Sequence, residues 1–303
     1  MQAHASPMIG GIVREFLWHW QKQPVTVSYE ILGEGKPILL LPAFSSVSTR
    51  GEMRRLAEQL AEGFQVVAVD WVGFGQSSRP AFRYTPAIYH AFLKDFVRGV
   101  FGEPVVVVAA GHAAGYVMQL AQKSNSPWAW IVLVAPTWRG PLPTAMGEHR
   151  WFYNFLRFLI RLPLIGQFLY LLNTTPAFLR WMYGRHVFAD PAHMTPALLT
   201  EKWRTTQRRG GRFASAAFVT GALDPVKDRR QFFDYFQPPL SAPVMLVIGE
   251  QTPIKSLEEM EIVAHFSGIG LQILRLPGSL GLHEEYAEPL AAGILPFLQK
   301  YWS

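Results

Sequence analysis

Short apolar runs alternate with stretches of helical periodicity over the first 136 residues, and the same alternation returns near residue 244. The runs that resemble strands fall at 24–31, 38–41, 64–70, 104–109, 128–134, 244–248 and 271–276. Most of them are apolar throughout, which is typical of strands buried on both faces of a sheet. Helical spacing lies between them, at 52–61, 89–100, 117–122 and 257–265, and in a last helix that ends at 302. This pattern predicts an α/β fold, with a mostly parallel central sheet flanked by helices.

The segment 138–240 interrupts this alternation. Strand signals vanish there, and aromatic residues crowd positions 151–188. We therefore predict three parts: an N-terminal core at 1–137, a helical cap (lid) at 138–240, and the C-terminal part of the core at 241–303. The longest apolar stretch, 151–172, is interrupted by Arg157, Arg161 and Pro163, so we expect no membrane-spanning helix.

Charge is distributed unevenly along the chain. The net charge is +6, and residues 138–212 carry eleven Lys or Arg against three acidic residues, so the positive excess lies in the cap. This excess does not predict nucleic-acid binding, because the basic residues alternate with aromatic residues of the buried type. The chain has no cysteine, which excludes disulfides and thiolate chemistry. We expect no metal and no cofactor.

One stretch of the cap has a two-sided helical pattern. A basic stripe is formed by Arg150, Arg157 and Arg161, and an aromatic face beside it is formed by Trp151, Phe155 and Phe158. Such a helix suits the surface of an anionic membrane or a membrane-protein partner. We then expect a cytoplasmic protein that lies on the cytoplasmic or stromal face of a membrane. The other interpretation is a lid whose aromatic face packs on the sheet and lines a pocket.

Two glycine-containing motifs follow predicted strands. The first, DWVGFGQS, begins at Asp70, and the second, GHAAG, spans 111–115 between a strand and a helix. The second has the spacing of the G-x-S-x-G turn that carries the nucleophile in many hydrolases. With these motifs, and with the cap in its usual place, the chain resembles the α/β-hydrolase fold superfamily over nearly its whole length. The resemblance implies a hydrolase sheet with a helical cap over the carboxyl ends of its strands.

The resemblance also locates the three catalytic positions, and none of them holds a catalytic residue. The nucleophile position corresponds to Ala113, the acid position to Thr252 and the base position to Leu280. A methyl group cannot attack a carbonyl carbon, so acyl-enzyme chemistry is not expected. The backbone N–H groups of Phe44 and Ala114 are expected to remain as an anion-binding pair. The chain thus resembles a family member that lacks the catalytic triad, similar to hydrolase-like proteins of cyanobacteria and plastids.

From these residues we expect a catalytically inactive protein that binds an apolar ligand, or a membrane or protein partner, through its cap. Phe44, His112, Ala113 and Ala114 would line the floor of the former pocket, where an apolar small molecule or a lipid would fit. Some of the cyanobacterial and plastid proteins that the chain resembles act on chlorophyll or pheophytin esters. That resemblance implies an apolar class of ligand and a thylakoid location.

The alternative hypothesis is an active hydrolase of the esterase or lipase type with a rearranged site. His283 would be the base, Glu250 or Asp224 the acid, and an activated water the nucleophile. The simpler interpretation places His283 at the start of a helix on the surface, next to Glu284. It also gives His112 and Asp224 structural roles.

Overall fold

The fold is known from a computed structural model, which describes residues 8–146, 151–266 and 270–299. The strands are β1 (Ile12–Trp20), β2 (Gln23–Leu32), β3 (Pro37–Leu41), β4 (Gln65–Val69), β5 (Val105–Ala110), β6 (Trp128–Val134), β7 (Val244–Gly249) and β8 (Leu271–Leu276). They form one eight-stranded sheet in the order β1-β2-β4-β3-β5-β6-β7-β8. Only β2 runs antiparallel to its neighbours, and the remaining pairs are parallel. The predicted α/β fold is confirmed.

Helices connect the strands and cover both faces of the sheet. In chain order they are α1 (Arg54–Leu60), α2 (Pro86–Val100), α3 (Ala113–Ala121), α4 (Pro141–Met146), α5 (Trp151–Arg161), α6 (Pro163–Leu172), α7 (Pro176–Met182), α8 (Pro196–Thr206), α9 (Gly211–Val219), α10 (Arg229–Asp234), α11 (Ile254–Phe266), α12 (Leu282–Glu285) and α13 (Ala287–Gln299). In β3, Leu39 and Leu41 pack on the side of α2, α3 and α11, whereas Ile38 and Leu40 pack on the side of α1 and α13. This two-sided burial explains why the central strands are apolar at every position.

The N-terminal strand is the element that the sequence pattern missed. β1 lies at the edge of the sheet and pairs only with β2. Ile12 and Leu17 are exposed, whereas Trp18 is buried in the core and Phe16 and Trp20 pack against it. The exposed apolar residues blur the alternation that would mark a half-buried strand.

The cap is entirely helical in its described part. Between the end of β6 and the start of β7, a range that includes the predicted cap at 138–240, the described residues form α4 to α10, a π-helical turn (Tyr183–Val187) and a 3-10 turn (Pro191–His193). A small hydrophobic cluster joins the cap to the core, where Val47 packs with Leu179 and Phe188.

In the described part of the chain, no individual helix has both the length and the apolar character needed to cross a membrane. The helices α5 and α6 meet both conditions only as a pair, and their axes are bent by 109°. Gly166 permits the bend, because a side chain there would overlap the carbonyl oxygen of Ile160. The Gly166 N–H donates to the Leu162 carbonyl at 3.0 Å, which stabilises the turn between the two helices.

Candidate functional site

The turn from β5 to α3 is the place where the fold would carry a nucleophile. Gly111 follows the strand directly and has a φ of +52°, in the left-handed region that favours glycine. Ala113, which the sequence motif placed at the nucleophile position, is instead the first residue of α3. In the G-x-S-x-G turn the nucleophile occupies the strained residue between strand and helix. The backbone therefore favours Gly111 for that position, two residues earlier than predicted, and neither residue has a nucleophilic atom.

Because α3 begins at Ala113, the Ala114 N–H cannot form the expected anion-binding pair with the Phe44 N–H. The Ala114 N–H donates to the Gly111 carbonyl oxygen at 3.2 Å, inside the first turn of α3. It is therefore occupied and does not point at a ligand together with the Phe44 N–H. The prediction was wrong because it assumed that α3 begins two residues later than it does.

Aromatic rings fill the space that was expected to be a pocket. The Phe44 ring stacks on Trp71 at 4.8 Å between centroids and meets Tyr89 edge-on at 5.0 Å. Tyr116 and His112 lie at 5.5 and 5.9 Å from the same ring. Ring pairs at such distances and angles are favourable, so Phe44 is held in the centre of a packed cluster.

The prediction that Phe44, His112, Ala113 and Ala114 line a pocket floor is therefore contradicted. Phe44 is 3% exposed and His112 1%, and the two alanines have no accessible surface at all. A residue that lined a cavity large enough for water would retain some accessible surface. The sequence motif could not indicate this outcome, because the rings that fill the space come from Trp71 and Tyr89, distant in the chain.

His112 joins the β5–α3 turn to the segment that leaves the cap. Its Nε2 lies 3.0 Å from the Leu223 carbonyl oxygen and 3.5 Å from Asp224 Oδ1. Because a carbonyl only accepts, Nε2 carries the proton. Burial lowers the pKa of His112 to about 4, so the ring is neutral at physiological pH. Asp224 also accepts from the Gly140 N–H at 2.8 Å, and both side chains have the structural roles of the simpler interpretation.

The predicted acid and base positions come together at the ends of β7 and β8. Gln251, next to Thr252, donates its N–H to the Gly278 carbonyl at 2.9 Å, and its side-chain oxygen accepts from the Gly278 N–H at 3.1 Å. Thr252 is buried, and Leu280 is half-buried against the core. The two loops thus meet as in an active site, but neither position supplies a titratable group.

His283 lies inside the protein and not on the surface. It is 3% exposed, and its Nε2 is 3.5 Å from Glu52 Oε2. Lys202 of the cap helix α8 completes the group, with its Nζ 2.8 Å from Glu284 and 3.5 Å from Glu52. Burial alone would lower the pKa of Lys202, but the carboxylates of Glu284 and Glu52 raise it well above its usual value. We call Glu52, Lys202, His283 and Glu284 the buried charge cluster.

In the buried charge cluster, His283 lies beside a different carboxylate from the two predicted for the rearranged site. The carboxylate beside His283 is Glu52, whereas Glu250 is exposed at the end of β7 and Asp224 lies beside His112. Glu52 and His283 are 231 residues apart in the chain, so no local pattern could have connected them.

Glu285, the next residue of α12, also holds the cap. Its side chain has no accessible surface, and it accepts from the backbone N–H groups of Ala189 and Asp190, both at 2.8 Å. His193 Nδ1 lies 2.8 Å from the same carboxylate. Glu284 and Glu285, two consecutive carboxylates of α12, therefore hold the cap on the core.

The DWVGFGQS motif, which begins at Asp70, forms a turn that is stabilised by buried ion pairs. Asp70 accepts from the Arg50 N–H at 2.6 Å and from the Gln76 N–H at 2.7 Å, and it pairs with the Arg50 guanidinium. The other edge of this guanidinium pairs with Glu30 at 2.9 Å, and Arg50 has no accessible surface. Asp70 thus stabilises the turn and does not face a substrate site.

The basic residues of the cap helix α5 make contacts within the protein. Arg157 donates to the Thr220 hydroxyl at 3.0 Å, and Arg161 donates to the carbonyls of Phe82 and Ala81 at 2.9 and 3.1 Å. Arg157 is half-buried and Arg161 is exposed, so part of the basic stripe remains at the surface. The remaining member of the predicted stripe, Arg150, lies outside the described residues.

The aromatic face of α5 is turned to the outside. Trp151 is 80% exposed, and Phe155 and Phe158 are each more than half exposed. This contradicts the interpretation in which the aromatic face packs on the sheet and lines a pocket. The helix pattern predicted two faces correctly, but it could not say which face the rest of the protein would cover.

Comparisons with known proteins agree with this architecture. A model described as the alpha/beta hydrolase family matches residues 38–292. An uncharacterized protein of Mycobacterium tuberculosis is 32% identical over 108 residues, which are 36% of this chain and 31% of that protein. The 2-hydroxy-6-oxo-6-(2'-aminophenyl)hexa-2,4-dienoic acid hydrolase of Metapseudomonas resinovorans is 26% identical over 92 residues, 30% of this chain and 32% of the enzyme. These matches span about a third of the length of the curated relatives.

Solved structures show the same fold at low sequence identity. A thermophilic esterase of Thermogutta terrifontis is 17% identical with a TM-score of 0.71, and the match covers 96% of this chain and 100% of the esterase. A putative α/β hydrolase of Nostoc sp. PCC 7120 is 21% identical with a TM-score of 0.71, and the match covers 94% and 98% of the two chains. Such likeness concerns the fold alone. Since the family model covers most of the chain and the sheet has the expected topology, the protein belongs to the α/β hydrolase family.

Proposed function

We propose that this protein is a catalytically inactive member of the family that acts by binding an apolar partner surface through its cap. The observation that carries the proposal is the filled site. Phe44 and the rings around it pack against His112 of the β5–α3 turn and leave that residue only 1% exposed.

The chemistry of the surrounding residues supports the same conclusion. Gly111 and Ala113 offer no nucleophilic atom, and Thr252 and Leu280 offer neither a carboxylate nor an imidazole. General-base catalysis needs a titratable group within hydrogen-bond reach of the atom it deprotonates. His283 lies in the buried charge cluster that fastens the cap, which gives this histidine a structural use.

With the site filled, the surface that remains to explain is the exposed aromatic face of the cap. Several large exposed aromatic side chains on one helix face are typical of a binding site for a protein or a membrane. The proposal includes a peripheral position at the cytoplasmic or stromal face of a membrane, where such a surface would meet its partner.

A panel of short-chain and long-chain acyl esters tests the absence of catalysis. We expect turnover at the background rate for the wild type and for Gly111→Ser and Ala113→Ser, because a serine at either position still lacks a base. Circular dichroism would verify that the variants are folded. Revival of turnover by either serine would contradict the proposal and show that a functional base is present.

The second candidate is an active hydrolase with a rearranged site, and the names of the similar proteins favour it. The relative in Metapseudomonas resinovorans is named a hydrolase and the Thermogutta terrifontis structure an esterase. This candidate predicts ester turnover by the wild type that disappears in His283→Ala and persists in His19→Ala, at an exposed histidine of β1. Background rates on the whole panel would exclude it.

A further inference from the structure

The α5–α6 pair presents an exposed apolar surface on two consecutive helices. We call it the outer face, and its members are Trp151, Phe155, Phe158, Leu164, Ile165 and Phe168. Each of these side chains is more than half exposed, and Leu164, in the first turn of α6, is 85% exposed. The surface is rigidly presented, because Tyr153 and Ile160 on the opposite side of α5 are buried in the protein, and Arg157 and Arg161 add hydrogen bonds to it.

The polar side chains at the surface of the same two helices have partners within the protein. Arg157 also binds Asn154, and Gln167 accepts from Arg212 at 2.9 Å. Arg212 donates in addition to the Ile160 carbonyl at 3.1 Å, near the end of α5. A surface that faces hydrocarbon must satisfy its polar groups internally, because lipid tails offer no hydrogen bonds. A protein partner imposes no such condition and usually forms polar contacts at the rim of an interface.

The charge of the region points to the same partner. No acidic residue occurs between Glu148 and Asp190 in the sequence, a range that contains both helices of the pair. Exposed Arg180 and Arg185 follow in the next two elements of the cap. Basic residues around an apolar surface are complementary to the anionic headgroups of phospholipids.

We propose that the outer face inserts into one leaflet of a lipid bilayer that contains anionic phospholipids. This inference rests on the proposed function and names the surface that the cap binds. The helices have 11 and 10 residues, so each is about 15 Å long, roughly half of the hydrocarbon core. With the bend of 109° between them, the pair lies in the interface and does not cross the membrane.

The absence of cysteine in the sequence permits a direct test with single-cysteine variants. Leu164→Cys and Phe168→Cys are labelled with a polarity-sensitive dye and mixed with vesicles of phosphatidylcholine and phosphatidylglycerol. Leu17→Cys is the matched control, because Leu17 is 63% exposed on the edge strand β1. We expect a blue shift and quenching by spin-labelled lipid tails at positions 164 and 168, and no change at position 17. Equal responses at the three positions would overturn the proposal.

Flotation with the same vesicles provides the second measurement. The triple variant Phe155→Gln, Leu164→Gln and Phe168→Gln should bind at least about tenfold more weakly, because each change removes apolar area from the contact. Ile12→Gln with Leu17→Gln is the control pair on β1, and these changes should leave binding unaltered. Equal capture of the wild type and the triple variant would overturn the insertion.

The two proposals can fail separately. A dye response at position 164 that appears with protein concentration in the absence of vesicles would assign the outer face to a second copy of the chain and overturn the bilayer. Ester turnover with normal insertion would overturn only the proposed inactivity. If the dye detects no insertion and ester turnover stays at the background rate, only the proposed insertion into the bilayer is overturned.

Discussion

Two histidines are kept neutral by burial in this protein. The pKa of His112 and that of His90 are each lowered to about 4, mainly because their surroundings disfavour a charged ring. In His112 this neutral ring connects the β5–α3 turn to Leu223, and Tyr116 donates to the same carbonyl at 2.6 Å. A residue in the turn that carries the nucleophile of related enzymes is thus used for packing and for a fixed hydrogen bond.

The titration of His112 leads to a prediction about pH. The unfolded chain protonates this ring near pH 6.5, whereas the folded protein does so only near pH 4, so protons favour unfolding between these values. We expect the free energy of unfolding to fall from pH 7.5 to pH 5.0, with about 2 kcal/mol of the loss due to His112. In His112→Gln that part of the loss should vanish, while the amide can still donate to Leu223.

Urea denaturation at pH 7.5 and pH 5.0 measures the effect. The exposed His19→Gln is the control and should retain the pH dependence of the wild type. His90 is unchanged in both variants and cancels in the comparison. An identical loss of stability in His112→Gln and the wild type would contradict the buried, neutral state of His112.

At the scale of elements, α3 shows a conflict between helix propensity and packing. Gly115 lies inside this helix, where alanine is preferred by about 1 kcal/mol. A Cβ at this position would lie 2.9 Å from the Cβ of Pro225 and still closer to its Cγ. The helix can approach the segment that returns from the cap only because residue 115 has no side chain.

Gly115→Ala should therefore destabilise the protein, although propensity alone predicts the opposite. Overpacking against a rigid proline ring typically costs about 1–3 kcal/mol, which exceeds the gain in propensity. Gly102→Ala is the control, because nothing lies within 4 Å of its Cβ, and it should be neutral or slightly stabilising. Thermal unfolding of both variants and of Gly115→Ala with Pro225→Ala tests the argument. If Gly115→Ala alone stabilises the protein, the contact between residue 115 and Pro225 is not tight.

At the scale of the whole molecule, the cap and the core are joined by buried charge. In the buried charge cluster, the Lys202 ammonium of the cap lies 2.8 Å from Glu284 and 3.5 Å from Glu52 of the core. Glu285 adds a second attachment through Ala189 and Asp190. A cap that is fastened in this way presents its outer face in a fixed orientation.

Lys202→Met should loosen the cap while the sheet stays folded. The change leaves two buried carboxylates without their cation, a situation that typically costs about 3–5 kcal/mol. We expect faster hydrogen exchange and proteolysis in α7 and α8, with protection retained in β5 and β7. Adding Glu284→Gln should restore part of the protection, because it removes one uncompensated charge. The exposed Lys227→Met is the control in the cap, and equal exchange in both single variants would contradict the role of Lys202.

Local periodicity was enough to predict the sheet and its helical cap. The runs at 104–109 and 244–248 became β5 and β7, because strands buried on both faces must be apolar at every position. The GHAAG motif likewise located the turn before α3. β1 was not predicted, since the exposed Ile12 and Leu17 blur the alternation of its buried and half-buried aromatic residues.

The sequence by itself therefore determined the α/β hydrolase fold, the lack of a side-chain hydroxyl or thiol at positions 111 and 113, and the two faces of α5. Tertiary structure decided which face of α5 is exposed, because Tyr153 and Ile160 are the side chains that it buries, while Trp151 stays outside. It also decided that rings fill the pocket and that His283 meets Glu52. These outcomes depend on contacts between residues far apart in the chain. Hydrophobic periodicity indicates only the local secondary structure and its apolar face.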